Sequence, residues 1–541
     1  MLSFNLRVFI NKNKVSFLVL AGLVFLSYAN SLNNSFVSDD RGIIINADRW
    51  DLNFIFSQPF SALRLFLYLT ALKIGGLNPL FFRLINVFLH LGTVWLVYVI
   101  VSLLAKQRVG LFAASLFAVH PVLIESVTWI SGGVYAQYSF FLLLSFLSYI
   151  LSLENKKFYT ASLIFFGFSL MSSEKAVVLP LILVIYELSF GNIKKNWKRL
   201  ILFFSADLIF GLFFLGKIGQ RISSLETDSN QQVQGYSPFL QIPVAISSYF
   251  ELIFWPKVLT LYHSEMIFSQ LNYVIRVITS LLFFGSIIYF FKRNKQIFFW
   301  FLFFIITLLP TLTPFGISWV VAERYVYLGS LGIFVIVSMG LERLTKIKKF
   351  KMHVFSFFII VILALSTRTI IRNIDWENED NLWVATGKTS PSSPNTHNNL
   401  GDVYGRHGDL NAAASEFQRA IKINPSYADA YHNLANTYND MGKSELALKN
   451  YQKAAYYNPR LWQSYQNMAV IYFAKNDFKN ALDNLQKAIS LNPNDENLYL
   501  GLGTVYLKSG DKEKAKEVFS KIISIDPGNQ TAKTGLEEAS K

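Results

Sequence analysis

Long apolar runs separated by short charged connections fill the first two thirds of the chain, and from about residue 390 a polar pattern with a regular repeat replaces them. A helix rising about 1.5 Å per residue needs about 20 apolar residues to cross a ~30 Å hydrocarbon core. Runs near that size predict eleven membrane helices, at 15–30, 80–104, 109–126, 135–153, 158–172, 176–190, 200–216, 273–291, 297–314, 326–341 and 353–371. The two around "SSEK" at 172–175 are short and read as a hinged or tilted pair. Residues 241–262 are apolar but broken by two prolines, which predicts an interfacial or re-entrant segment.

The polar region repeats every 34 residues: Pro425, Pro459, Pro493 and Pro527 hold that step, each preceded by Asn or Asp. In register with them fall His397, Tyr431, Tyr465 and Tyr499, the small Ala413, Ala447, Ala481 and Ala515, and the bulky Phe417, Tyr451, Leu485 and Phe519. This is the tetratricopeptide (TPR) pattern, in which each helix hairpin buries its apolar face only by stacking on the next. The reading is therefore all-α: a polytopic membrane helix bundle over 1–371, a junction with a degenerate half-repeat at 372–393, and over 394–541 a soluble TPR α-solenoid of four repeats with "TAKTGLEEASK" as a capping helix.

Composition agrees with the bilayer assignment, since 52% of the 541 residues are hydrophobic and only 16% are charged. Lys and Arg cluster on alternate connections: Arg7, Lys12 and Lys14; Lys106 and Arg108; Lys156 and Lys157; "KKNWKR" at 194–199; "KRNK" at 292–295; "RLTKIKKFK" at 343–351. Basic clusters mark the cytoplasmic side, so the N-terminus is expected inside and the repeats outside. The opposite connections carry only scattered cations, such as Arg41, Arg49, Lys175 and Arg324. The net charge of +15 is largely this topological signal, and no nucleic-acid partner is inferred from it. With no cysteine, disulfides, thiolate metal sites and cysteine nucleophiles are excluded.

The outer connections hold the candidate chemistry. Asp39 and Asp40 stand side by side in "SFVSDDRGIIIN", where like charges repel and one carboxyl tends to keep its proton unless donors compensate. The same side receives His120 and Glu125 in "VHPVLIESV", Glu174 and Lys175 in "SSEK", and Glu323, Arg324 and Tyr325 in "AERYVYL". Each alone has a bland reading: a solvated turn for the aspartates, a helix cap for His120, a local ion pair for Glu174 and Lys175, a loop clamp for Arg324. Ionisable groups at the ends of membrane helices are costly unless they face water, a partner or a cavity. Four connections bringing them to one face are what a buried site for a charged substrate requires.

The segments "FVSDD", "GLNPLFFRLINVFLH", "LFAVHPVLIESVTWISG", "AVVLPLILVIYEL", "IFWPKVLTLY" and "AERYVYLGSLGIF", with TPR repeats after "RNIDWENEDNLW", resemble, in order over nearly the whole chain, the transmembrane and TPR-repeat-containing O-mannosyltransferase family and its bacterial relatives. That resemblance implies a GT-C glycosyltransferase taking sugar from a polyprenyl-phosphate carrier on the outer or lumenal side. It also implies that Asp39–Asp40 are the family's diacidic motif, one of them the catalytic base. Where relatives often have an Arg and an acidic residue after the "ISG" element, this chain reads "GGVYAQ" at 132–137, and its Lys175 follows Glu174 rather than preceding it.

Such a transfer needs a carboxylate to deprotonate the acceptor hydroxyl and cations to neutralise the departing phosphate. Asp39 or Asp40 supplies the base, while the other holds a divalent metal or orients the acceptor; Arg324, Lys175 and His120 are the phosphate candidates, with Glu125, Glu174 and Tyr325 beside them. The expected outcome is inversion, from a β-linked donor to an α-linked product. Asn399, Asn433 and Asn467 recur on the first helix of successive repeats, a ladder of amides able to pair with a polypeptide acceptor of any sequence, although Asn is also a common consensus residue there. Two other classes stand beside this one. A non-catalytic TPR membrane scaffold would not require the charged residues on one side, and a polymerase or ligase of lipid-linked glycans would rely on Arg and His in a large outer loop, whereas the loop at 217–240 carries no His. The abundance of Lys, Asn, Ile and Phe suits an AT-rich bacterial genome, which would put the outer face in the periplasm or outside the cell.

Overall fold

The computed structural model describes residues 5–44, 52–229, 238–266, 268–312 and 320–541, so Arg49 lies outside the described residues. Among these the chain is helical throughout its regular elements, and it divides into two units, Met1–Ser390 and Pro391–Lys541.

In the first unit all eleven apolar segments are helical, but they differ in reach. Among the described residues five helices are long and apolar enough to cross a membrane: Lys14–Ser31, Pro79–Leu104, Ser131–Ser152, Gln270–Arg293 and Lys348–Asp375. A sixth crossing is the pair Gln107–Val119 and Pro121–Val127, bent by 58°. The bend follows from Pro121, which lacks an N–H and pushes His120 to extended backbone. Lys157–Leu170, Leu240–Phe254 and Lys295–Thr311 are apolar but shorter. The "SSEK" pair is interrupted as expected: Ser173 is extended, and Glu174–Val178 forms a 3-10 turn before Leu179–Ser189. The chain is a multi-pass membrane protein.

Two expectations change. The 217–240 loop is helical as far as Ser229, in the long helix Ile193–Ser229, because Ile218, Ile222 and Leu225 continue a helical spacing. The proline-broken stretch opens with a helix, Pro238–Phe254, that carries Pro243 inside it, and the described residues from there to the next helix at Gln270 carry no regular structure.

Pro79–Leu104 is the buried axis of this unit and packs on Gln107–Val119 and Val134–Ser152. Near its N-terminal end Gly132 and Gly133 are obligatory, since a Cβ on either would overlap the Glu125 carbonyl or the Asn86 amide. That close approach draws the "WISG" turn against Glu125 and Asn86.

In the second unit four helix hairpins follow one another, from Pro394–Arg406 with Leu410–Ile423 to Glu496–Ser509 with Lys512–Ile525, and Gln530–Ser540 caps the series. Each hairpin turns at a residue with positive φ: Gly408 at 79°, Gly442 at 74°, Asn476 at 60° and Gly510 at 89°. Only Gly, and next best Asn, adopts that region cheaply. Buried Ala447, Tyr451, Met468 and Ile471 join the second repeat to the third, and Phe519 packs with Ala532 and Ala539 of the cap. The helix Glu379–Thr389, predicted as part of the junction, falls in the first unit.

Candidate active site

The loop that carries Asp39 and Asp40 is pinned by an arginine. Arg83, buried in the Pro79–Leu104 helix, donates through Nε to the Thr128 carbonyl at 2.8 Å and through Nη1 and Nη2 to the carbonyls of Asn34 at 2.6 Å and Ser35 at 3.1 Å. Beyond it Ser38 takes a positive φ of 53°, unusual for a side-chain-bearing residue, and Asp39 starts the short helix Asp39–Ile44. Asp40 is fully buried: Oδ1 accepts from the Ser131 amide at 2.8 Å and its hydroxyl at 2.5 Å, and Oδ2 accepts from the Val37 amide at 3.3 Å. Burial pushes its carboxyl up to about 6, against the pull of the Ser131 and Val37 bonds and the Arg83 charge.

Asp39 is different in kind. It is open to solvent at its surface, yet hemmed in closely enough that desolvation raises its carboxyl; the Arg324 charge opposes that shift and Glu379 adds to it. Glu379 comes from the segment after the last long helix. Its Oε2 accepts from the Ser38 amide at 2.9 Å and its Oε1 from the Trp383 indole at 3.0 Å.

Arg324 sits opposite in a buried ion pair with Glu125, whose Oε2 accepts from the Arg324 amide at 3.0 Å and from Nη1 at 3.2 Å. Burial works against the guanidinium, but Glu125, Tyr325 and Tyr135 together outweigh it and hold the charge firmly on. The guanidinium lies over the rings of Trp129 at 5.6 Å and Tyr325 at 5.2 Å. Tyr325 neighbours Tyr135 at 6.1 Å, and the Lys175 ammonium sits over Tyr135 at 5.2 Å while pairing with Glu174 at 3.3 Å. Here too burial opposes the charge, and Tyr135 and Glu174 more than restore it. Asp39, Glu125, Glu174, Lys175, Arg324 and Tyr325 are thus linked through charge and ring contacts, as a site for an anion beside a carboxylate would need.

His120 is placed otherwise. Its Nδ1 accepts from the Val122 amide at 3.2 Å, so Nε2 bears the proton and donates to the Ile253 carbonyl at 2.9 Å. Both nitrogens are engaged and the ring is buried, so in this arrangement it caps the bend and offers nothing to a phosphate. Glu323 is likewise inward, accepting from the Thr260 amide at 2.5 Å with His263 at 3.7 Å.

Sequence reasoning missed Arg83, Ser131, Tyr135 and Glu379. An arginine inside a 26-residue apolar helix is itself a signal for Arg83. Ser131 lies in the "WISG" segment and Tyr135 directly after it; nothing marked Glu379.

In the repeats the three asparagines are half-buried and already bonded within their own unit. Asn399 Nδ2 donates to the Asn395 carbonyl at 2.9 Å, Asn433 Nδ2 to Asn398 Oδ1 at 3.0 Å, and Asn467 Nδ2 to Asn436 Oδ1 at 3.0 Å and to the Tyr451 hydroxyl at 3.2 Å.

A resident divalent metal does not fit this donor set. Both Asp40 oxygens are taken by N–H and O–H donors, and among the described residues no group of three or more His, Asp or Glu could hold a metal ion.

Human Protein O-mannosyl-transferase TMTC3 is 25% identical over 482 residues, 76% of this chain and 52% of its own length. Human TMTC4 is 25% identical over 73% of this chain and 64% of its own length. The chain resembles the protein O-mannosyl-transferases. The likeness is higher over shorter stretches, as with Drosophila melanogaster Tmtc1 at 32% over 159 residues, 25% of this chain and 18% of that protein. The chain spans between about half and two thirds of the two human relatives. Family profiles described as "TPR repeat" match residues 406–442 and 469–510, and one described as "Tetratricopeptide repeat" matches 428–461 and 496–529. The family resemblance and the repeats read from the sequence both hold.

Proposed function

We propose that this chain is an integral-membrane glycosyltransferase that moves a sugar, mannose by analogy with its relatives, from a polyprenyl-phosphate carrier to a hydroxyl acceptor, Ser or Thr of a protein. The reaction takes place on the non-cytoplasmic face, in a bacterium the outer side of the cytoplasmic membrane. The observation that carries this reading is the contrast between the two aspartates: Asp40 is consumed by the fold, while Asp39 opens to solvent within reach of the Arg324 charge.

Asp39 takes the proton of the acceptor hydroxyl as its oxygen attacks the anomeric carbon. The bond from that carbon to the carrier phosphate breaks, and its electron pair leaves with the phosphate. Arg324 and Lys175, both held charged, neutralise the phosphate as it departs. Attack opposite the leaving group inverts the anomeric centre, β to α. Asp40 orients the loop, and no step is routed through a metal. The polypeptide acceptor is gathered by the TPR groove, with Asn399, Asn433 and Asn467 as its amide contacts, a role supported by the register of the repeats and by the side-chain oxygen of each amide, an acceptor for a peptide N–H.

The test is transfer of radiolabelled sugar from a panel of polyprenyl-phosphate monosaccharides in reconstituted vesicles. Wild type should transfer from at least one donor, and Asp39→Asn should abolish it with the fold intact. A chain that uses no donor, or whose activity survives Asp39→Asn and Asp40→Asn, is instead a scaffold or a glycan ligase.

A further inference from the structure

Glu379 touches the acidic loop from the far end of the first unit. Its two carboxylate oxygens are spent on two donors, the Ser38 amide at 2.9 Å and the Trp383 indole at 3.0 Å. Glu377, two residues before the helix that Glu379 heads, reinforces the grip, because the Ser35 amide donates to its carbonyl at 2.8 Å. Trp383 packs against the ring of Tyr262 at 5.7 Å, and Ser390, just past the same helix, bonds Thr260 at 2.6 Å. Thr260 in turn donates its amide to Glu323, the neighbour of Arg324. One helix therefore clasps both the Asp39 loop and the segment that backs Arg324.

The point of attachment matters. Ser38 carries a positive φ, which costs a side-chain-bearing residue about 1 kcal/mol or more unless something holds it. Its amide, held by Glu379, is the last backbone group before Asp39. That φ sets the direction in which the chain enters the Asp39 turn, and so where the carboxylate points.

We propose that Glu379 is a positioning residue of the transfer reaction, whose bond to the Ser38 amide fixes the Asp39 loop in its productive direction. The role rests on the glycosyl-transfer reading above. Because Glu379 bonds the backbone of the loop while Arg324 and Lys175 are paired with Glu125 and Glu174, it acts on turnover rather than on donor binding.

The experiment measures kcat and donor KM in reconstituted vesicles for wild type, Glu379→Ala, Glu379→Gln and Glu379→Gln with Trp383→Phe, with the thermal unfolding midpoint of each. Glu379→Ala should lower kcat about ten- to a hundredfold, the size of a lost hydrogen bond to a charged group. Donor KM and the unfolding midpoint should stay near wild type. Glutamine keeps one acceptor oxygen but turns an NH2 group towards one of the two donors, so the single variant falls between alanine and wild type. Removing the indole N–H with Trp383→Phe lets the amide oxygen turn to Ser38 and should recover most of kcat. A Glu379→Ala chain with kcat within twofold of wild type overturns the role. So does one in which kcat falls only in step with donor KM or with the amount of folded protein. A wild-type chain that moves no sugar from any donor defeats the transferase reading itself, and this role with it.

Discussion

The hydroxyl of Ser131 lies 2.5 Å from Asp40 Oδ1, and the Ser131 amide reaches the same oxygen at 2.8 Å. The buried carboxylate of the pair is thereby an anchor between its own loop and the "WISG" turn, and the exposed carboxylate is left to face the charge of Arg324. Two identical side chains one residue apart carry different burdens because one is buried among donors and the other is not.

Asp39→Asn and Asp40→Asn should accordingly fail in different ways. At exposed Asp39 the amide costs little stability, and transfer falls about 10²- to 10⁴-fold, the usual worth of a general base. At Asp40 an NH2 group must face a backbone or side-chain donor, costing about 1–3 kcal/mol. Unfolding midpoints and turnover measured on both variants separate the two; equal loss of stability in both would sink the distinction.

The Asp40 carboxyl also gives stability a pH dependence. Its proton is held more tightly folded, at about 6, than in the unfolded chain, near 3.8. The folded state therefore binds more protons between those values, and stability falls as pH rises through that window. The contribution is fully present below pH 3.8 and lost above about pH 6. Against Asp40→Asn, which cannot titrate, the wild-type unfolding midpoint should decline from pH 4 to pH 6 and then run parallel. Ser131→Ala removes the hydroxyl bond that pulls the carboxyl down and keeps the amide bond, so its decline should extend to higher pH. A wild-type curve parallel to Asp40→Asn throughout would refute this.

Arg324 carries a second, separable burden. Glu125 is fully buried, and Arg324→Met leaves it without its cation, a loss of about 3–5 kcal/mol for a broken buried pair. Adding Glu125→Gln removes the stranded charge and should return most of the stability. Transfer should stay low, at least tenfold below wild type, because the guanidinium is still missing from the phosphate. Recovery of transfer in the double variant would make Arg324 a clamp for Glu125 and nothing more.

What the sequence made legible follows from what repeats or contrasts along it. The hairpin turns at Gly408, Gly442, Asn476 and Gly510 obey the 34-residue step because backbone geometry at each demands the same few residue types. The apolar segments stand out by length, and the diacid by its isolation from other charges. His120 was not legible, since the carbonyl that takes its proton belongs to Ile253, 133 residues away. Glu379 was still less so: its bond to Ser38 spans 341 residues and belongs to no period. Long-range contacts of single polar groups leave no trace in a pattern, and the fine geometry of this site is built from them.

The asparagine ladder can be tested against its own packing. Asn467 Nδ2 bonds Asn436 and Tyr451, and the Tyr451 hydroxyl donates to Asn436 Oδ1 at 2.6 Å, so the three side chains form one network inside the stack. Asn467→Ala removes both the network and the amide offered to a peptide, whereas Tyr451→Phe loosens the network and keeps the amide. If the amide reads the acceptor backbone, Asn467→Ala should raise the KM for a Ser/Thr peptide about three- to tenfold, the worth of one hydrogen bond, with donor KM unchanged. Tyr451→Phe should then leave the peptide KM alone while lowering the unfolding midpoint of the repeats. Equal effects of the two substitutions on peptide KM would mean that the asparagines serve the stack and that the acceptor is held elsewhere.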